Sequence, residues 1–278
     1  MNFSIKELNL MANSIRQDIL EIAFKAGGPS HPGPALSCVD IITALYFRIL
    51  DIDQENPRME DRDRVILSKG HACPALYSAL AERGFFPKDW LYTIRQLNSK
   101  LQGHPDMTKT PGIDMTSGSL GYGLSAGLGM ALFLKQQGKK SRIFVILGDG
   151  ETQEGPVWEA AMSAPVLHAD NLIAIVDRNH FQSCDAVDEI VPFPNMRKVW
   201  EDFGWNVTEI NGHDMDCIVS NLEMAYRYRG RPTCIIANTV KGKGVSYMEY
   251  DNDWHQKVPS EDQYHIAMKE LREELICL

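Results

Sequence analysis

The sequence predicts an α/β fold: a doubly wound, mainly parallel sheet flanked by helices, in one domain spanning residues 1–278. Four apolar runs carry this expectation: RVILS at 64–68, IFVIL at 143–147, LIAIV at 172–176 and TCIIANTV at 233–240. Runs with so little polar alternation suit strands buried on both faces, as strands of a parallel sheet are. A helical stretch from Pro156 to His168 lies between the middle two runs. Strand, helix, strand at that spacing is a βαβ unit.

The remaining elements follow in chain order. Leu8, Met11, Ile15, Ile19 and Ile22 recur at three- and four-residue spacing, which predicts an amphipathic helix stopping at Gly27-Gly28. A second helix is expected over Leu36–Ile49 and a third between Pro74 and Arg83. The last helix opens after Pro259 with Ser260 and Gln263, a capping box, and presents Tyr264, Met268, Leu271 and Leu275 on one face. No internal repeat, low-complexity segment or Pro/Gly-rich linker divides the chain.

Composition narrows the function classes. Hydrophobic residues make up 44% and charged residues 23%, and the net charge of −9 comes from scattered acids. That balance argues against nucleic acid or an anionic membrane as the main partner. The six cysteines, at 38, 73, 184, 217, 234 and 277, form no CxxC pair or metal-ligand spacing, so reduced thiols in a cytoplasmic protein are expected. The first twenty residues carry charges throughout and lack the apolar core of a signal peptide. No apolar run approaches the roughly 18 residues of a membrane span.

In a parallel sheet, ligands gather beyond the carboxyl ends of the strands. GDGE follows one run, DRNHFQ the next and TVKGKG a third, so the three loops are expected to meet at one edge. Asp149 and Asn179 bring hard oxygen donors of the kind magnesium accepts, with phosphate and water completing the shell. The glycines beside Asp149 let backbone approach a diphosphate, and the following helix adds amide donors. Taken singly, Asp149 is as readily a helix cap and Asn179 a turn former. Glu154 is equally an ordinary first-turn acid. Four histidines sit in glycine- or proline-marked loops: His31 in SHPG, His71 in SKGH, His104 in GHPD and His255 in DWHQ. Any one of them could be merely solvated, but imidazoles suit proton exchange with sugar oxygens near neutral pH.

GDG before a helix, followed by Asn after the next strand, resembles the thiamine diphosphate motif. GGPSHPGPALSCVDIITALY, DRVILSKGHACPALYSALAERG, GHPDMTKTPGIDMTSGSLGYGLSAGLGMA, GDGETQEG with DRNHFQ, and TVKGKGVSYMEYDNDWHQ occur in transketolase order. Over about residues 10–260 the chain resembles the amino-terminal, diphosphate-binding half of a transketolase, encoded as a separate subunit. The resemblance implies that Asp149, Asn179 and the carbonyl of Phe181 bind Mg2+. It implies that Gly118, Leu120, Gly121, Gly150 and Glu151, with Asn179, His71 and His255, surround thiamine diphosphate. His31, His71, His104 and His255 line the donor-sugar channel. Glu154 sits at a subunit interface and communicates with the second site. The implied reaction moves a two-carbon unit from a ketose, expected to be phosphorylated, to an aldose.

Some positions depart from the family pattern. Ser119 stands where many transketolases have Pro and Tyr122 where Gln is usual, and SCDAVDE, with Ser183, replaces a familiar Asp-Gly pair. These changes bear on which sugar is used. The pyrimidine-binding and carboxy-terminal domains of the family are expected on another chain, with an α2β2 assembly of two such chains and two partners. The alternatives are a half of another thiamine enzyme, such as a deoxyxylulose-phosphate synthase, and a non-catalytic scaffold. The alpha subunits of 2-oxo-acid dehydrogenases lack the SKGH and GHP loops.

Overall fold

The structure, a computed structural model, describes residues 3–26, 30–192 and 195–277. Five strands form its sheet: β1 (Arg64–Leu67), β2 (Ile143–Gly148), β3 (Leu172–Arg178), β4 (Asn206–Asn211) and β5 (Thr233–Asn238). Their order is β1-β2-β3-β5-β4, and every neighbouring pair is parallel. The register places Gly148 beside Asp177 and Arg178 beside Asn238, so the ends of β2, β3 and β5 lie level.

Because side chains alternate along a strand, each strand feeds two cores. Val65, Leu67, Phe144, Ile146, Ile173 and Ile175 join one cluster, while Ile66, Val145, Leu147, Ala174 and Val176 join the other. The first face is covered by α1 (Ile5–Lys25), α2 (Pro32–Ser37), α3 (Val39–Ala44) and α4 (Cys73–Glu82). The second is covered by α5 (Tyr122–Gln136) and α6 (Gly155–Val166). A short α7 (Val187–Ile190) precedes α8 (Met196–Asp202), which joins the second face through Trp200. Then α9 (Met215–Arg227) and α10 (Glu261–Cys277) return to the first. Helices on both faces of a parallel sheet make the fold doubly wound, as expected.

Local signals explain most boundaries. Ser4 and Glu7 form a capping box at the start of α1, whose Leu8, Ala12, Ile15, Ile19 and Ile22 are fully buried. The expected stop at Gly27-Gly28 lies outside the described residues. At α10, Ser260 and Gln263 exchange the two bonds of the predicted capping box, at 3.0 and 3.2 Å. Leu36–Ile49 is not one helix. Pro32 opens α2 four residues earlier than Leu36, Cys38 interrupts, and α3 runs into a wide π-type turn over Leu45–Ile49. Proline at the first helical position is pre-organised for that start. Among the described residues no helix is long and apolar enough to cross a membrane. Five cysteines are free thiols; the side chain of Cys277 lies outside the described residues.

Candidate active site at the carboxyl edge of the sheet

The loops after β1, β2 and β3 border a cavity of about 410 Å3. His31, His71, His255, Gly118 and Leu120 line it together with Asp149, Gly150, Glu151, Glu154, Asn179 and Phe181. Of the residues expected there, His104 and Gly121 are not part of the lining. His104 is exposed and packs on Gly118, where an added Cβ would lie 3.3 Å from its ring. Gly121 adopts φ +86°, a left-handed backbone that suits glycine, at the start of α5.

Asp149 and Asn179 share one end of the cavity. Asp149 is buried; its Oδ1 accepts from Gly150 N–H at 2.9 Å and its Oδ2 from His180 N–H at 2.6 Å. His180 holds a left-handed φ of 67°, and Asn179 Oδ1 accepts from Phe181 N–H at 3.1 Å. Burial, then the nearby Asp177, pushes the Asp149 carboxyl up to about 7. A bound cation would reverse that penalty. Carboxylate, amide oxygen and main-chain carbonyl are hard donors that fit magnesium, which takes few protein ligands and fills its octahedron with phosphate and water. Among the described residues no three His, Cys, Asp or Glu side chains gather as a metal cage. A site here therefore depends on the amide and carbonyl oxygens.

Glu151 has a different part. Ser68 Oγ–H, Gly121 N–H at 2.8 Å and Gly148 N–H at 3.0 Å all donate to its carboxylate. Burial pushes this carboxyl above the usual carboxylate range, and the three donors offset that effect only in part. The side chain ties the loops after β1 and β2 to the start of α5, and so shapes the cavity wall.

Two buried lysines were not anticipated. Lys69, from SKGH, pairs with Asp177 and donates to the Pro34 carbonyl at 2.9 Å. Burial opposes ionisation of Asp177, yet Lys69 together with donors from Ser37 and Thr239 holds it below the usual carboxylate range. Lys241, from TVKGKG, donates to Asn252 Oδ1 at 2.5 Å and lies 3.0 Å from His255 Nδ1. Burial, then the charge of Lys69, lowers its ammonium to about 7. Each lysine follows the carboxyl end of a strand, and that position was the signal available in the sequence.

Three histidines cluster in the same cavity. The ring centroids of His31, His71 and His255 lie 5.3–5.5 Å apart. Burial is the first cause of every shift here. With Arg95 and neighbouring cations it lowers His31 to about 4, with Lys241 it lowers His255 to about 3, and His71 falls well below its ordinary value. All three rings are neutral at neutral pH and can take or give a proton at a bound oxygen. The buried Nδ1 of His31 has no hydrogen-bond partner among the described residues. Glu154 is exposed at the N-cap of α6 and makes no capping bond. Of the departures from the family pattern, Ser183 lines the cavity, while Ser119 and Tyr122 are exposed.

Fold and cavity together define a class: a parallel α/β protein with a polar, oxygen-lined site at the carboxyl edge of its sheet. Comparison with known proteins specifies it. The family model described as "Transketolase, thiamine diphosphate binding domain" matches residues 8–272. A 6-deoxy-6-sulfo-D-fructose transketolase subunit of Clostridium sp. (strain MSTE9) is 44% identical, covering 96% of this chain and 97% of that one. An apulose-4-phosphate transketolase subunit of Actinobacillus succinogenes is 41% identical, covering 98% and 99%. Transketolase from Campylobacter jejuni superposes with a TM-score of 0.87 at 30% identity, over 98% of this chain and 43% of that enzyme. The chain thus spans about two-fifths of such longer enzymes. The chain belongs to the transketolase family, in its thiamine diphosphate-binding part. Its relatives are named transketolases or transketolase subunits, which are transferases.

Proposed function

We propose that the chain is the amino-terminal, diphosphate-binding subunit of a transketolase. With a separate carboxy-terminal subunit it moves a two-carbon unit from a ketose to an aldose. One observation carries this reading: the oxygens of Asp149 and Asn179 share a cavity with three neutral histidines. The need for a partner is supported by relatives of matching length that are named as subunits. Those relatives are named for a sulfonated and a phosphorylated sugar, which favours a ketose with an anionic end as donor.

Thiamine diphosphate, when bound, supplies the carbanion chemistry that breaks and makes the carbon–carbon bond. Asp149, Asn179 and the Phe181 carbonyl hold Mg2+, and Gly150 lets backbone approach the diphosphate. Gly118, Leu120 and Gly121 shape the wall against the cofactor, and Glu151 keeps that wall in place. His31, His71 and His255 bind sugar oxygens and exchange protons with them, with His104 further along the same channel. Glu154 faces a neighbouring subunit in an α2β2 assembly. The chain acts as one diphosphate-binding domain.

Calorimetry tests the cofactor part directly. Thiamine diphosphate is titrated into the chain with its partner, with Mg2+ and with EDTA. Binding that requires Mg2+ is expected. Equal binding in EDTA, or none in either condition, contradicts the assignment.

A further inference from the structure

Behind the cavity, a line of polar contacts runs from α1 to the loop that carries Lys241. Arg16 Nη2 donates to Asp40 Oδ2 at 2.6 Å, and both side chains are buried. The same Asp40 oxygen lies 2.7 Å from His213 Nδ1. Across the ring, His213 Nε2 lies 2.8 Å from the backbone nitrogen of Val240. A backbone N–H can only donate, so Nε2 is the unprotonated nitrogen. The proton therefore sits on Nδ1 and is donated to Asp40, which fixes one tautomer of a neutral ring. Burial opposes ionisation of Asp40, but Arg16 and His213 hold its carboxyl below the usual range.

There is no slack around this contact. A Cβ at Gly212 would overlap the Thr239 methyl and lie 3.0 Å from the Asn238 carbonyl oxygen. Gly212 N–H also donates to that carbonyl at 2.8 Å. The next residue after Val240 is Lys241, with its Nζ 3.0 Å from His255 Nδ1. A charged Lys241 can only donate, and beside it the neutral ring accepts at Nδ1 and carries its own proton on Nε2.

We infer that His213 is a positioning residue. It fixes the Val240–Lys241 backbone, and through Lys241 it sets the tautomer and orientation of His255 in the cavity. The role of His255 rests on the function proposed above; the contacts from Arg16 to His255 do not. The arrangement matches the general pattern in which a carboxylate orients an imidazole that orients a reacting group.

Two substitutions separate positioning from mere packing. His213→Gln brings an amide oxygen to the reach of Nε2 and keeps an acceptor for Val240. His213→Asn reaches only as far as Nδ1 and leaves Val240 without one. In the cofactor-free chain, 15N NMR reads the tautomers of His213 and His255, and hydrogen exchange reads the Val240 amide. Wild type must show His213 as the Nδ1–H form and His255 as the Nε2–H form, and His213→Gln must keep the latter. His213→Asn is expected to mix the His255 tautomers and speed Val240 exchange at least about 10-fold, a lost acceptor being worth about 1.4 kcal/mol or more. In the reconstituted pair it lowers kcat/KM by roughly 10- to 100-fold, since about 1 Å of misplacement costs on the order of 10²-fold. An Nε2–H tautomer of His213 in wild type overturns the inference, and that measurement needs no variant to fold. Unchanged His255 and Val240 in a folded His213→Asn also overturn it, as does a His213→Gln no better than Asn. If the wild-type pair lacks transfer activity the proposed function fails, while the spectra still decide the positioning.

Discussion

Replacing both His31 and His255 by Gln should blunt the acid sensitivity of the cofactor-free chain. The folded protein depresses His255 to about 3 and His31 to about 4, from an ordinary 6.5, chiefly by burial. Between those values the folded state binds fewer protons than the unfolded chain. Each ring's contribution is therefore complete above about pH 6.5 and is lost as pH falls toward the folded value. At about 1.4 kcal/mol per pH unit, going from pH 7 to pH 5 removes about 2 kcal/mol per ring. Both rings keep some solvent contact, and halving for screening leaves about 1 kcal/mol each, about 2 together. Asp18 and Asp63 work the other way. Burial pushes both up to about 7, so each costs stability as pH rises through about 4–7. The informative quantity is the difference between wild type and variant, in which these carboxyls cancel. Urea denaturation at the two pH values should show the wild type losing about 2 kcal/mol more than the variant. Parallel losses would refute the claim that the fold holds these rings neutral.

Other perturbations test the remaining links. Asp149→Ala should abolish magnesium-dependent binding of thiamine diphosphate in calorimetry and leave the circular dichroism spectrum unchanged; unaltered affinity would remove Asp149 from the metal site. His104→Ala and His255→Ala should lower turnover about 10²–10⁴-fold while changing cofactor affinity little. Near-normal turnover in both would make these histidines structural. Gly123→Ala should cost about 1–3 kcal/mol of stability by overpacking. Its Cβ would collide with the Ser68 side chain and come within 3.0 Å of Ser68 Cα, so the variant should also loosen cofactor binding by disturbing the Ser68 bond to Glu151. Denaturation and calorimetry check the two effects separately.

Four of the five strands were legible because both of their faces are buried. β4 was not, since only Val207 and Ile210 of NVTEIN are buried and the strand lies at the sheet edge. The helix α5 was hidden by its glycines. Gly123 and Gly127 are small because a Cβ at either would run into Ser68 or Val145, so close packing on the sheet overrode helix propensity. The break at Cys38 was invisible because Leu36–Ile49 keeps its apolar spacing through it. In the site, Asp149, Asn179 and three of the four loop histidines were placed by motif, and the structure brings them into one cavity. Lys69 and Lys241 were missed because a lysine reads as a surface residue unless its buried partners are seen. His213 was missed for a related reason: its partners, Asp40 and Val240, are distant in sequence and meet only when α3 and the loop after β5 come together.

The central claim is that this chain contributes the diphosphate-binding half of a two-carbon transfer site. The most direct measurement is a transfer assay with ketose donors, phosphorylated, sulfonated and unmodified, in the presence of thiamine diphosphate and Mg2+. It is run on this chain by itself, on a separate carboxy-terminal transketolase subunit by itself, and on the mixture. Turnover only in the mixture, lost again with Asp149→Ala, is the predicted result. Robust turnover by either chain without the other, or an active mixture that tolerates Asp149→Ala, would contradict it.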